Sequence, residues 1–261
     1  GTLLATGGTL NVSGSNWSNT GTGLIEASGG RVVLSGAWIN SGSLSANTST
    51  IAFASPVPLS NLGSVSYGST GNFEVANGGI LDLGGGSFDL APNMGSLTLS
   101  NGGVIRNGTL LSSNPSTAQL NLTEYSQATL DQMTLGSGLN ANVPYASTLV
   151  VTGGLNLNGA TLNLKDYGAS LRFDGSGVQQ LNGINGTIAD VFTGRYSPYN
   201  RQITTSGTNT SLQIGSGVTV NHSTGDLTIS NLSGNQGTLL ATGGTLNVSG
   251  SNWSNTGTGL I

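Results

Sequence analysis

The chain has 261 residues, a formal net charge of −4, 44 glycines, no cysteine and only 6% charged residues. Globular proteins average about 25% charged residues, so hydroxyl and amide side chains must cover much of this surface. Hydrophobic residues make up 35% of the chain, which argues against disorder, because disordered chains are poor in apolar residues. Six scattered cationic residues argue against a nucleic-acid partner. Short apolar runs argue against a membrane span, and the absence of cysteine excludes disulfide bonds.

Both ends of the chain carry the same sequence. Residues 1–25 and residues 237–261 read GTLLATGGTLNVSGSNWSNTGTGLI, so position 237 starts the pattern that position 1 started. Tandem copies of this kind stack on one another and share a core. The sequence therefore predicts one full tandem unit at residues 1–236 and the start of the next identical unit at 237–261. We expect the chain to be one window of a longer array.

Short runs of alternating apolar and polar residues follow one another along the chain. Each run is three to five residues long, as expected for a strand with one buried face, and Gly-, Asn- or Ser-rich turns separate them. No stretch of a dozen residues has a helical composition. We predict an all-β protein with the apolar residues of each run turned inward. The clearest runs are Thr9–Val12, Thr50–Phe53, Asn72–Val75, Ile80–Leu83, Thr161–Leu164, Ser170–Phe173, Val218–Val220 and Asp226–Ile229.

A finer period runs through the first part of the chain. Trp38 follows Trp17 at an interval of about 21 residues, within the range typical of solenoid repeats, and Asn40 and Asn61 follow Asn19 at the same interval. A segment this short is too small to fold alone, whereas stacked copies bury a shared core. The pattern predicts a right-handed parallel β-helix, or β-solenoid, in which these Trp and Asn side chains form ladders. A β-sandwich with hairpin turns and independent burial of the two Trp side chains are the alternatives.

The alternation breaks between residues 183 and 209, where we expect a protruding or irregular loop. The loop contains the densest aromatic and cationic cluster of the chain, formed by Arg195, Tyr196, Tyr199 and Arg201. Tyrosine rings can stack on sugars, and arginine can donate to hydroxyl or carboxylate groups. These four residues are the candidate contact loop. The alternative is a loop that packs back on the solenoid through its tyrosine rings.

The ionisable residues are too dispersed to predict a catalytic site. Enzymes that cleave polysaccharides need clustered carboxylates. A zinc site would have to rely on carboxylates, because His222 is the only histidine and there is no cysteine. We therefore expect no enzyme activity, no catalytic or metal-binding residue and no cofactor. The closest pairs of acidic residues are separated by only a few positions: Asp82 with Asp89, Glu124 with Asp131, and Asp166 with Asp174.

Two segments, GTLNVSGSNWSNTG and GRVVLSGAWINSG, resemble repeats of very large bacterial surface proteins. These families are giant tandem-repeat proteins, filamentous-haemagglutinin-like exoproteins and autotransporter passengers. The resemblance covers most of the chain and implies a right-handed parallel β-helix at the cell surface, with a role in adhesion or cell contact. It identifies no receptor, and no functional residue is transferred from it.

Two functions from different classes remain in view. The first is a structural module of a long extracellular filament or adhesin, which acts as a shaft or spacer with weak, multivalent contacts. The alternative is a glycan-binding or glycan-active β-helix with Tyr196 and Tyr199 as its platform. The expected partners are neighbouring repeats of the same polypeptide, copies stacked end to end, and a glycan or cell surface.

Overall fold

The computed structural model describes residues 1–257 and 259–261. Within these residues the chain forms 31 short strands, an α-helix at Leu90–Asn93 (α1) and a 3₁₀ helix at Leu59–Asn61. Neither helix is long and apolar enough to cross a membrane. The strands are β1 (Thr2–Ala5), β2 (Thr9–Val12), β3 (Ser15–Asn19), β4 (Leu24–Ala27), β5 (Arg31–Leu34), β6 (Ala37–Asn40), β7 (Ser43–Ala46), β8 (Thr50–Phe53), β9 (Pro56–Pro58), β10 (Ser64–Tyr67), β11 (Asn72–Val75), β12 (Ile80–Asp82), β13 (Ser87–Asp89), β14 (Leu97–Leu99), β15 (Val104–Leu111), β16 (Leu120–Leu122), β17 (Gln127–Leu135), β18 (Asn140–Val143), β19 (Thr148–Asn158), β20 (Thr161–Lys165), β21 (Ser170–Asp174), β22 (Val178–Ile184), β23 (Gly186–Val191), β24 (Arg201–Ser206), β25 (Ser211–Ile214), β26 (Val218–His222), β27 (Asp226–Ile229), β28 (Leu232–Asn235), β29 (Thr238–Ala241), β30 (Thr245–Val248) and β31 (Ser254–Asn255).

The strands pair in parallel along three faces of a β-solenoid, and each turn of the chain visits faces one, two and three in that order. Face two is an eleven-stranded sheet with the order β2-β5-β8-β11-β14-β16-β18-β20-β23-β26-β29. Face three contains β3 and β6, then β9, β12, the first halves of β15, β17 and β19, and β21, β24, β27 and β30. Face one contains β1, β4, β7 and β10, then β13, the second halves of β15, β17 and β19, and β22, β25, β28 and β31.

Face one continues from β10 to β13 although these two strands belong to different sheets. The Tyr67 hydroxyl at the end of β10 donates to the carbonyl oxygen of Ala91 at 2.6 Å, so the segment that follows β13 lies over β10. This part of the chain consists of β13 and α1, and the Asp89 carboxylate accepts from the backbone N–H of Ala91 at 3.1 Å as the helix N-cap.

The length of a turn varies along the solenoid. There are about twelve turns of about 22 residues each, but the offset between paired residues is 19 from Val32 to Ile51 and 32 from Ile188 to Val220. Strands stay in register because the inserted residues lie in the corners between faces. The sequence prediction of a parallel β-solenoid is therefore correct, and the variation reflects corners of unequal length.

The core is one continuous column of inward-facing side chains. Alternation within each strand produces it, as in β20, where Leu162 and Leu164 are fully buried between outward residues. Leu10 and Val12 are only partly buried, because they belong to the first turn and have a neighbour on one side only. Aromatic rings also stack from turn to turn, with centroid separations of 5.1, 6.2 and 6.1 Å along the series Trp17, Trp38, Phe53 and Phe73.

Amide side chains hydrogen-bond from turn to turn at several places. Asn19 Nδ2 donates to Asn40 Oδ1 at 2.7 Å. Asn61 does not extend this ladder: it ends the 3₁₀ helix, and its Nδ2 donates to the Trp38 carbonyl at 3.0 Å. The ladder stops there because the helical turn moves Asn61 out of line with the strand above. A longer ladder, not predicted from the sequence, joins Asn121, Asn142 and Asn163 at 2.7 and 3.0 Å.

Candidate functional site: an aromatic surface at one corner

The expected loop is shorter than the segment in which the alternation breaks. Strand β22 ends at Ile184, β23 covers Gly186–Val191 and β24 covers Arg201–Ser206, so residues 192–200 are the longest stretch without a strand. They form the corner between faces two and three. The backbone N–H and the hydroxyl of Thr193 both donate to the Asp166 carboxylate, at 2.9 and 2.6 Å. The loop is therefore tied at its start to the corner one turn below.

Four tyrosine rings gather at this corner from four successive turns. Tyr196 of the loop stacks on Tyr145 with a centroid separation of 3.8 Å and an interplanar angle of 21°. Tyr125 packs edge-on against Tyr145 at 5.1 Å, and Tyr167 lies at 6.2 Å on its other side. Tyr125 and Tyr167 are 69% and 41% exposed, so their rings face solvent. We call these four rings, together with Arg195 and Glu124, the corner patch.

An ion pair crosses the corner patch. Arg195 Nη1 donates to Glu124 Oε1 at 2.8 Å, and the guanidinium carbon lies 4.9 Å from the Tyr196 ring centroid. The Tyr196 hydroxyl is 3.5 Å from the other carboxylate oxygen. Because the Arg195 side chain is 66% exposed, this pair contributes little to stability. It leaves charged hydrogen-bonding groups beside exposed aromatic rings.

The phenol of Tyr125 is neutral at neutral pH, as tyrosine ordinarily is, and its surroundings favour that form further. Partial desolvation raises its pKa above the ordinary value, and the nearby phenols of Tyr145 and Tyr196 and the Glu124 carboxylate act in the same direction. A neutral phenol keeps an apolar ring face together with a hydroxyl donor. This combination suits hydrogen bonding and stacking against polar, uncharged groups such as sugar hydroxyls.

Arg201 does not belong to this surface. Its side chain is fully buried, and its Nη1 donates to Asp190 Oδ2 at 2.5 Å. The same guanidinium donates to the carbonyl oxygens of Pro198 and Thr224, at 2.6 and 2.7 Å. The sequence interpretation of Arg201 as a contact residue is therefore wrong: it begins β24 with its side chain inward and holds the end of the loop. Tyr199 is 52% exposed, in the same loop.

Asp190 is the centre of this buried cluster. Burial raises its pKa, but the backbone N–H groups of Thr224 and Ser223 and the nearby side chains of Arg201 and His222 outweigh that effect and keep its pKa below the ordinary range. The N–H groups of Ser223 and Thr224 lie 2.7 and 3.1 Å from its oxygens. His222 Nδ1 is 3.2 Å from Asp190 Oδ2 but is not aligned for a hydrogen bond. The cluster fixes the corner and is closed to solvent.

The three predicted pairs of acidic residues have separate local partners. Asp82 pairs with Arg106 at 2.8 Å, and Asp89 caps α1. Asp174 pairs with Arg172 at 2.7 Å, Asp166 accepts from Thr193, and the Asp131 carboxylate accepts from the Thr152 hydroxyl at 2.7 Å. The interactions of Asp82, Asp131 and Asp166 join neighbouring turns, whereas the Asp174–Arg172 pair lies within β21 and the Asp89 cap within its own segment. Among the described residues, no group of three or more metal-ligating side chains converges.

Arg195 and Tyr196 were predicted from the sequence as contact residues, whereas the rest of the corner patch was not. A signal was present: Tyr125, Tyr145 and Tyr167 follow one another at intervals close to the spacing of Trp17 and Trp38. In a solenoid, residues separated by one turn come to the same corner, so that spacing gathers the rings. The local sequences around these tyrosines differ, so they do not stand out as a motif.

Comparison with known proteins finds a structural similarity. No family model and no curated protein sequence matches the chain. A crystal structure of the TibA55-350 fragment, hyper-glycosylated by TibC, is 15% identical to it. The alignment covers 98% of this chain and 97% of that one, with a TM-score of 0.31. A TM-score of this size does not establish a common fold, and no function follows from it.

Proposed function

We propose that this chain is a non-enzymatic shaft segment of a long extracellular surface filament or adhesin. The observation that carries the proposal is the identical sequence at residues 1–25 and 237–261. The second copy continues the same solenoid: β29 pairs with β26, and β30 with β27. Adding a unit therefore lengthens the column without interrupting its core. Growth of this kind favours a structural role as an extended spacer over a catalytic role.

The surface chemistry supports a role outside the cell. With 6% charged residues and no cysteine, the shaft is coated by hydroxyl and amide groups. Its stability comes from the buried column and the backbone ladders, neither of which depends on redox conditions. The resemblance to bacterial surface repeats implies the same location. The proposed partners are neighbouring units of the same polypeptide and, through the corner patch, a glycan or a cell surface.

The corner patch is the proposed adhesive contact. It offers exposed rings at Tyr125 and Tyr167 and a solvent-facing Arg195, and these groups stand on an open corner of the shaft. Because a ligand on an open corner keeps much of its own surface in water, binding by one patch is expected to be weak. Repeated patches raise the overall affinity by about 10²–10⁴ when one partner engages several of them.

The adhesive role is tested by comparing one-unit and three-unit proteins on cells and on a glycan array. We expect much tighter binding by the three-unit protein, and loss of binding in Tyr125→Ala and Tyr167→Ala variants. Ile39→Ala is the control, because Ile39 is also an exposed hydrophobic residue but lies on β6, away from the patch. Equal affinity for both lengths, or equal loss in the control, would refute an adhesive corner patch.

The alternative function, a glycan-binding or glycan-active β-helix, is favoured by the aromatic rings of the corner patch. The glycan-binding function differs from the adhesive function of the shaft only in having a sugar as its natural partner. The glycan array tests this difference. A glycan-active role requires an acid–base pair, whereas Glu124 is held by Arg195. Incubation with acidic and neutral polysaccharides should leave chain length unchanged. Release of shorter products that disappears in Glu124→Gln would replace the shaft proposal with an enzyme.

A further inference from the structure

The two identical segments lie on different faces of the solenoid. The sequence TLLA forms β1 on face one at Thr2–Ala5 but β29 on face two at Thr238–Ala241. Likewise, TLNV forms β2 on face two and β30 on face three. The third strand moves from face three (β3) to face one (β31). Every element of the second copy is displaced by one face in the direction of winding.

Counting turns gives the size of the displacement. On face two, ten steps separate β2 from β29, and β1 lies one face before β2. Residues 2 and 238 are therefore ten and one third turns apart. Backbone hydrogen bonds at the corners give the same result. In the first copy the corner after β1 contacts the end of a face-one strand, since the N–H of Ser28 donates to the carbonyl oxygen of Ala5. In the second copy the N–H of Thr242, after β29, donates to the carbonyl oxygen of His222 on face two.

The same sequence can lie on either of two faces because the three strands of this turn are similar in length and spacing. Its strands begin at residues 2, 9, 15 and 24, and each presents alternate residues to the core. The turn also closes in the same way in both copies, with Thr2 paired to Leu24 and Thr238 bridged to Leu260. Each face therefore offers this segment the same kind of partner: a parallel strand with apolar residues turned inward.

The junction between copies is a real packing surface. In the first copy Leu3 is 43% exposed, because β1 is paired on one side only, with β4. In the second copy the equivalent Leu239 is 2% exposed, because it pairs with Val220 of β26. The open end of the solenoid at the first turn therefore fits against the turn that ends at Asn235. The natural occupant of that open end is the last turn of another copy of this unit.

We infer that consecutive units are joined one face out of phase, so that a unit such as 1–236 makes ten and one third turns. At about 4.8 Å per turn, each unit advances about 50 Å and rotates by a third of a turn. Three units restore the starting orientation after about 150 Å. The corner patches of successive units then point to three sides of the shaft in sequence.

This rotation deepens the proposed function, and only its adhesive consequence rests on that function. A flat surface laid against one side of the shaft meets the corner patch of every third unit. Partners that surround the shaft meet one patch about every 50 Å along it. The repeat therefore favours bridging in all directions, such as contact among neighbouring cells or filaments, over tight binding to one plane.

The phase is tested by cysteine pairs, which the cysteine-free chain makes unambiguous. Thr228 and Asn247 are paired across β27 and β30, and Asn221 and Leu240 across β26 and β29. With both members replaced by cysteine, each pair should be joined by a short thiol crosslinker, since paired strands lie about 4.8 Å apart. Leu4→Cys with Glu26→Cys, the pair made by the same sequence in the first turn, is the positive control.

If a unit instead made ten whole turns, residue 240 would lie on face one over β25, in the place that β28 occupies in this structure. Gln213→Cys would then crosslink with Leu240→Cys. We expect no product from that pair. A Gln213–Leu240 product, with none from the Thr228–Asn247 pair, would overturn the inference.

The second measurement needs no cysteine and no ligand. Electron cryomicroscopy of an unmodified three-unit chain should show the loop at residues 192–200 three times, each displaced by about 50 Å along the axis and a third of a turn around it. All three loops on one side would refute the phase, whatever the binding experiments show. Loss of binding with the rotation intact would refute the adhesive role alone.

Discussion

Removing one partner of the buried Arg201–Asp190 pair should destabilise the corner strongly. Both side chains are fully buried, and breaking a buried ion pair leaves an uncompensated charge at a cost of about 3–5 kcal/mol. Arg201→Met also leaves the carbonyl oxygens of Pro198 and Thr224 without their donor. Asp190→Asn leaves the Arg201 charge without a counter-ion. We expect each variant to lower the free energy of unfolding of this region by that amount.

A double-mutant cycle separates the pair from its surroundings. Because Asp190→Asn with Arg201→Met removes both charges, the double variant should cost less than the sum of the single variants by about 1–3 kcal/mol. Arg106→Met is the matched control. The Arg106–Asp82 pair has a similar length but is partly exposed, and such pairs contribute about 0–1 kcal/mol.

Urea unfolding and hydrogen exchange provide the measurement. Protection should fall in β23, β24 and β26, which the cluster joins, and stay near the wild-type level in β5 and β8, because each turn contacts mainly its neighbours. If Arg201→Met cost no more than Arg106→Met, or if protection fell equally along the whole chain, the reasoning would be refuted.

Three further predictions concern the core, the pH dependence and the ladder. Leu162→Ala should cost about 2–5 kcal/mol in thermal or urea unfolding, whereas Thr161→Ala, on the outer side of the same strand, should change stability by less than about 0.5 kcal/mol. The pKa of Asp190 is depressed in the folded state. The contribution of its carboxylate to the free energy of unfolding is therefore complete above about pH 4 and is lost as the pH falls through the pKa of the folded state. The difference in urea midpoint between wild type and Asp190→Asn should disappear in acid. Asn142→Ala, which removes the middle of the amide ladder, should increase hydrogen exchange in β16, β18 and β20 but not in β28.

The fold could be predicted from the sequence because alternation and repetition are both local signals. Each run such as Thr161–Leu164 carries its own inward and outward residues, and the regular spacing of Trp17 and Trp38 places one turn over the next. Neither signal depends on contacts between distant parts of the chain.

The parts that could not be predicted depend on the geometry of corners. Asn61 has the spacing of a ladder residue, but a 3₁₀ turn displaces it. Arg201 has the composition of an exposed loop, yet Asp190 meets it across the corner of the same turn and Thr224 from the next turn. The one-face displacement of the second copy is also invisible in the sequence, because the length of the repeated unit does not reveal how many residues each corner uses.

The central claim, that the chain is a shaft to which each unit adds length, is tested most directly by small-angle X-ray scattering. One-, two- and three-unit proteins should show a maximum dimension that grows by about 50 Å per unit, with an unchanged cross-sectional radius. A cross-section that grows with the number of units, or a length increment far below this value, would show that the units fold side by side and would contradict the account.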